Sequence, residues 1–318
     1  MQIRLLFLSG FILLLLSACT VEAQEEVREV DPSAVFSAEE FTDELQVRFF
    51  HLELDETGKT GESILITTPG GQHILIDAGI PEVGPLVDNY LTALGVETID
   101  IAMPSHPHSD HIGGYLTLFE TKEIGKVIST GFPLEDSNIY QDYRQSIEEN
   151  NIPVELVEKG DVIEVEENLT MEILHPTNET IENYLVLYDE FSAGIVNDLS
   201  MVVKLEYKDK SFLFTGDIYT AVESQLIDAY GEEMDADVVV APHHGQHTSS
   251  SGEFLEAVSP EVTIIPINLL YSRSVYDNYA EQGSDVYASQ FDGNVLIVSD
   301  GEKLDVYSEK ENDDVMED

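Results

Sequence analysis

The stretch SHPHSDHIGG, residues 105–114, sets three histidines and an aspartate within six positions and closes them with two glycines. Imidazole and carboxylate together are ligands for borderline divalent cations. His106 and His108 lie two apart, so on an extended turn stiffened by Pro107 both rings can face one side and grip a single cation. Asp110 and His111 follow at once, and a helix starting at Ile112 or beyond would turn them toward a second cation. Gly113 and Gly114 leave room for close packing beside the ions. Zn²⁺ is the foremost candidate, with Mn²⁺ and Fe²⁺ as alternatives, and no thiolate narrows the choice, since the one cysteine, Cys19, lies far upstream. Two such cations about 3.5–4 Å apart turn a shared water into a hydroxide nucleophile and clamp the attacked centre.

A site of this kind needs more ligands than one turn provides, and they must be held by rigid elements. Short β-branched runs supply those: SILITT, HILIDAG, DIAMPSH, KVIST, MEILHP, SMVVKLEY, SFLFTGD, DVVVAPHHG, VTIIPIN and NVLIVSD read as strands. Between them GPLVDNYLTALGV, QDYRQSIEENN, AVESQLIDAYG and GEFLEAVS place apolar residues at helical spacing. PGG and YKDKS join strand pairs as hairpins, which makes part of the sheet antiparallel. The mixture predicts an α/β fold of two sheet layers with helices outside. Asp77, His106, His175, Asp217 and His243 each end one of these strands, where a rigid scaffold hands over to a loop. Asp217 in TGD could instead cap the helix after it.

H-x-H-x-D-H, with LIDAG upstream and TGD and PHHG downstream, is similar to the metallo-β-lactamase superfamily over about Gln46 to Tyr307. Within it, GESILITTPGGQHILIDAG, LHP, FLFTGD and APHHGQHTSSS resemble the C-terminal hydrolase domain of DNA-uptake competence proteins and cell-surface phosphorylcholine esterases. The resemblance implies a four-layer αββα sandwich and a two-metal hydrolase. It implies that His106, His108 and His175 hold one ion, that Asp110, His111 and His243 hold the other, and that Asp217 bridges them. Asp77 would orient the histidine turn by hydrogen bonds. Asp110 or Asp217 would align the nucleophile, and His244, beside the favoured ligand His243, would donate a proton or touch substrate. The family's G-H-[ST]-x-G-S pattern is absent: the equivalent stretch is GIVNDLSMVV, which leaves Asn197 and Asp198 as substitutes for His175. The family's DVGQGDS turn is replaced by LDETGKTGES, longer and with Glu62 in place of the aspartate.

Further candidates rest on position. Ser249, Ser250 and Ser251 could bind phosphate oxygens at the following helix, or form only a loop and its N-cap. Asn268 and Tyr271 could line the pocket, while His51, His73 and His247 read as surface or loop residues.

Composition narrows the substrate. With 14 Lys and Arg against 63 Asp and Glu, formal net charge −49, the surface lacks the cations that release counterions from a polyanion, which disfavours nucleic acid. Such acidity suits a saline habitat. Two divalent cations offset by Asp110, Asp217 and a hydroxide leave the centre close to one net positive charge. A phosphodiester, as a small molecule, a lipid headgroup or a wall-linked substituent, fits that charge. A lactonase or β-lactam hydrolase and a non-catalytic surface binding protein are the competing classes.

Residues 1–18 hold one charge, Arg4, and an apolar run, and read as an export signal. LSAC resembles the lipobox of bacterial lipoproteins, so Cys19 is expected to carry a lipid and anchor the chain outside the cell membrane, or else the chain is secreted. The expected organisation is a signal over 1–18, a flexible acidic tether over 19–45, the hydrolase domain over 46–308 and an acidic tail over 309–318.

Overall fold

Ile64 and Ile66, Ile74 and Ile76, and Ile101 and Met103 alternate with Leu65, Leu75 and Ala102 along three neighbouring strands, and all nine side chains are buried. A strand sends successive side chains to opposite faces, so this sheet must be covered on both. The computed structural model, which describes residues 29–54, 59–188, 190–267 and 272–310, shows how.

One sheet has nine strands. From edge to edge they are Glu29–Val30, Leu304–Ser308, Val295–Ser299, Leu45–Phe49, Ile64–Thr67, His73–Ile76, Thr98–Met103, Glu123–Ser129 and Val154–Leu156. The other has seven: Asp285–Ala288, Val262–Ile265, Val238–Val240, Lys210–Phe214, Val202–Tyr207, Leu169–His175 and Val162–Glu166. Both hairpins expected at PGG and YKDKS are antiparallel pairs. The inner faces form one core, in which Val47, Ile66, Ile74 and Met103 of the first sheet join Ile173, Val203, Phe214 and Val240 of the second. Leu65, Leu75, Ala102 and Val127, on the outer face of the first sheet, pack with residues of helices Gly84–Ala93, Tyr115–Thr121 and Asn138–Glu149. Val202, Leu213, Val239 and Ile265 do the same for the second sheet with helices Thr220–Tyr230, Gly252–Val258 and Arg273–Glu281. Four layers, αββα, result. Each fully buried Leu or Ile contributes about 1.5–3 kcal/mol of transfer free energy, so burial on both faces makes these strands the rigid part of the molecule.

Two expected boundaries are corrected. From Glu29 on, the segment read as tether over 19–45 belongs to the domain: Glu29–Val30 pairs with the strand Leu304–Ser308, and Ala34 and Val35 in the helical turn Pro32–Val35 are buried. Buried Arg48 fastens it, with Nε donating to the Val35 carbonyl at 2.8 Å and a terminal nitrogen to the Ser37 carbonyl at 2.7 Å. Burial pulls that guanidinium down to about 10. At the other end Glu309 and Lys310, assigned to the tail, bond back to Asn294 and Asp292. Residues 1–28, with the signal and Cys19, lie outside the described residues, as do Asn268, Tyr271 and 311–318.

Candidate metal centre

The strands His73–Ile76 and Thr98–Met103 run parallel, so Asp77 and the histidine turn leave the sheet side by side. Asp77 is wholly buried and accepts from Ser105 twice, from its backbone N–H and its hydroxyl, both at 2.7 Å. Its Oδ2 also lies 2.8 Å from His111 Nδ1. A carboxylate only accepts, so the Ser105 hydroxyl proton is committed to Asp77 and its oxygen must accept from His106 Nδ1, 3.0 Å away. Both rings therefore carry hydrogen at Nδ1 and turn Nε2 inward, the form a cation requires. A helical turn over Ser109–Ile112, starting earlier than expected, carries Asp110 and His111.

Asp217 receives these rings. Its Oδ2 lies 3.4 Å from His111 Nε2 and 3.9 Å from His106 Nε2, and its Oδ1 lies 3.4 Å from His244 Nε2. It does not cap the helix Thr220–Tyr230, whose N-cap is Tyr219. His106, His108 and Asp217 offer atoms within 4.8 Å of one another, and so do Asp110, His111 and His244. His106 Nε2 and His108 Nδ1 converge at 2.8 Å.

The donor set fits cations. His111 Nε2, His244 Nε2, Asp217 Oδ1 and Asn197 Oδ1 are buried with no hydrogen-bond partner, a cost of about 1–3 kcal/mol each unless a ligand satisfies them. Burial would pull His111 down, but the charges of Asp217 and Asp77 outweigh it and hold the imidazole well above its usual range. Burial pushes Asp217 up, and His244, His111 and His106 more than reverse that, holding it well below the carboxylate range. The carboxylates thus demand positive charge where the Nε2 atoms converge, and a divalent ion supplies it.

Two ligand expectations change. His244, not His243, faces Asp110 and His111. His244 Nδ1 is 3.1 Å from the Pro266 carbonyl and must donate to it, which leaves Nε2 open. His243 is spent at both nitrogens, on Thr248 Oγ1 at 2.5 Å and on the Gln246 amide at 3.1 Å, although its Nε2 still lies 3.8 Å from Asp217. Burial pulls its imidazole down to about 4. His175 also stands outside the centre: it ends its strand as expected, but Nε2 is 2.9 Å from the Asp198 carbonyl and none of the ligand clusters includes it. Asn197, the substitute the sequence offered, is buried at the end of the helical turn Ala193–Asn197, beside His108, and lines the same cleft as Asp217. Asp198 Oδ1 instead accepts from the Tyr219 N–H.

The split between the two adjacent histidines is testable. His244→Ala should cost one ion per chain and at least about 100-fold in activity, whereas His243→Ala should keep both ions, since removing an outer contact costs about 10–100-fold and a ligand more. Metal analysis of the two variants beside wild type checks it; an equal loss of metal in both would reverse the assignment.

Other candidates are placed elsewhere. Ser249 donates to the Ile218 carbonyl, and the Ser250 N–H and hydroxyl are committed to Glu223 and Tyr279, so neither faces substrate. Ser251 caps the helix Gly252–Val258. His51, expected at the surface, is buried, with its N–H donating to Asn294 Oδ1. Glu62, given no role in advance, is buried 3.8 Å from His111 Nδ1 beside Asp77; burial and the charge of Asp77 raise its carboxyl well above the usual range. The sequence signal was its alignment with the family's DVGQGDS turn.

Two clefts open on the centre. The larger, about 280 Å³, is lined by Lys59, Ile80, His108, Ser109, Asp110, Ala193, Asn197 and Asp217. The smaller is lined by Lys59, Thr60, Gly61, Asp110, His244 and Pro266, among others.

Residues 57–188 match the metallo-beta-lactamase superfamily. Competence protein ComA of Neisseria gonorrhoeae is 29% identical over 206 residues, covering 64% of this chain and 25% of that protein. ComE operon protein 3 of Bacillus subtilis is 27% identical over 177 residues, covering 55% of this chain and 21% of that protein. The chain thus spans a quarter or less of these relatives' lengths. Among solved structures, zinc-bound PqqB of Methylobacterium extorquens aligns with a TM-score of 0.46 at 12% identity, over 76% of this chain and 97% of that one. The αββα sandwich is of the metallo-β-lactamase type, and that fold implies divalent metal ions and supports a metallo-hydrolase. The chain carries a metallo-β-lactamase domain, with competence proteins among its homologues.

Proposed function

We propose that the protein is a metal-dependent phosphodiesterase that acts on a small phosphodiester, exported and held at the outer face of the cell membrane through a lipid on Cys19. The observation that carries the reading is Asp217, whose two oxygens reach the ring nitrogens of both ligand sets. When bound, a pair of divalent cations, zinc foremost, acidifies water and draws charge from phosphoryl oxygens. His106, His108, Asn197 and Asp217 would hold one, and Asp110, His111, His244 and Asp217 the other. Asp77 keeps the His111 ring in the tautomer that turns Nε2 toward the ions.

Substrate size and charge support the diester. A cleft of about 280 Å³ matches a headgroup or a small diester better than a long polymer. The scarcity of Lys and Arg, 14 in all, argues in the same direction against nucleic acid. The LSAC stretch before the domain supports the lipid anchor.

The test is metal analysis of purified protein with assays on bis-p-nitrophenyl phosphate, nitrocefin and a lactone, repeated for His108→Ala. Diester hydrolysis that needs metal and falls at least about 100-fold in the variant supports the reading. Turnover of the lactone or nitrocefin with the diester untouched would replace it with another hydrolase class.

A further inference from the structure

We propose that Lys59 recognises the negative charge of the substrate, a specificity role that rests on the phosphodiesterase reading. It lies in the loop that departs from the family's turn, second in GKTGES. It lines both clefts, sharing one with His108, Asp110 and Asp217 and the other with Asp110 and His244. No other Lys or Arg among the described residues lines either cleft, in a chain with 14 such residues against 63 acidic ones. Its charge also acts on the His243 ring.

The backbone next to Lys59 is fixed. Thr60 and Glu62 are buried, the Ile80 N–H donates to the Thr60 carbonyl at 3.0 Å, and the Gly79 N–H donates to the Glu62 carbonyl at 2.9 Å. Gly61, at φ +80, lies so close to the Asp110 carbonyl that a Cβ there would stand 1.7 Å from it. The loop is thereby pinned to the segment that bears two of the ligands, while the lysine side chain itself is exposed at the rim. An ammonium carried on a fixed stretch of backbone suits a phosphoryl oxygen, for which lysine acts as a point charge. An anion entering the larger cleft meets a lining that holds Lys59 as well as His108, Asp110 and Asp217. A neutral ester gains nothing from that lysine.

Lys59→Met and Lys59→Arg, prepared with metal, separate charge from bulk. Inorganic phosphate measured by calorimetry should bind about tenfold more weakly to the Met variant, with most of the affinity kept in the Arg variant. The ratio of kcat/KM for bis-p-nitrophenyl phosphate to that for p-nitrophenyl acetate should fall about tenfold in the Met variant, mainly through KM, and the gap should narrow near 1 M salt. If the Met variant binds phosphate as wild type does and keeps the ratio, the role of Lys59 is overturned, whether or not the diester is a substrate. If wild type binds phosphate through Lys59 but leaves the diester uncut, the phosphodiesterase reading falls and the recognition role stands. If wild type binds no phosphate and cuts no diester, both fall.

Discussion

Asp217→Ala is expected to lower kcat/KM on a phosphodiester by well over about 100-fold and to leave the purified protein with less than its full complement of metal. The magnitude follows from position. Partners that merely orient a ligand cost about 10–100-fold when removed, and Asp217 reaches both ligand sets at once, within 3.4 Å of His111 and of His244 and 3.9 Å of His106. Its loss also leaves three buried imidazoles facing one another without a carboxylate, so repulsion adds to the missing bond. Asp217→Asn separates the two effects, because it keeps the shape and removes only the charge. It should retain the fold, read by circular dichroism, and still lose most of the activity. The surrounding turn should survive either change, since its backbone is held independently: the Asp217 N–H donates to Ser200 Oγ at 3.1 Å and the His243 N–H to the Gly216 carbonyl at 3.0 Å. Full metal content and activity in both variants would overturn the shared-carboxylate centre.

The sequence shows most of this centre because its parts sit at the ends of apolar runs. Asp77, His106 and Asp217 each follow a strand whose alternation is plain, so their convergence needs only two parallel neighbours and a second sheet facing them. The choice between His243 and His244 is different. Both have positive φ, +51 and +53, and what separates them is the Pro266 carbonyl, which takes the Nδ1 proton of one ring only. That acceptor is 22 residues away and carries no sequence mark. The placement of His175 and Asn197 escapes the sequence for a similar reason. Helices Asn178–Leu187 and Ala193–Asn197 intervene between the two strands and deliver Asn197 to the cleft, and spacing along the chain does not reveal where such an insertion ends. The strands missing from the sequence reading are mostly edge strands. VEL at 154–156 and VIEVE at 162–166 are short apolar runs interrupted by acids, and Val154, Leu156 and Val162 are exposed. Residues 29–37 were missed because what ties them down is an arginine bonding carbonyls, not an apolar period.

Gly114→Ala, one methyl group added outside the ligand set, should destabilise the protein by about 3 kcal/mol, at the upper end of what overpacking costs, and loosen metal binding by about 10–100-fold. The backbone at Gly114 is ordinary, φ −65 and ψ −23, so the effect is purely steric. A Cβ there would stand 1.9 Å from the Ala78 carbonyl oxygen, a backbone atom that no rotamer change can move. Nor can the facing loop retreat freely. The Gly114 N–H donates to the Gly79 carbonyl at 2.9 Å and the Ala78 N–H to the His111 carbonyl at 2.8 Å, so displacing Ala78 pulls on its neighbour Asp77 and on His111 together. Those are the two residues whose 2.8 Å contact sets the imidazole toward the ions. Thermal unfolding should show a midpoint about 6 °C lower or more, and metal titration a weaker site. Gly252→Ala is the control, because nothing lies within 4 Å of its Cβ position and it opens a helix, where exchanging glycine for alanine should be neutral or slightly stabilising. If Gly114→Ala unfolds and binds metal as Gly252→Ala does, the close approach of the two loops is not what holds the histidine turn in place.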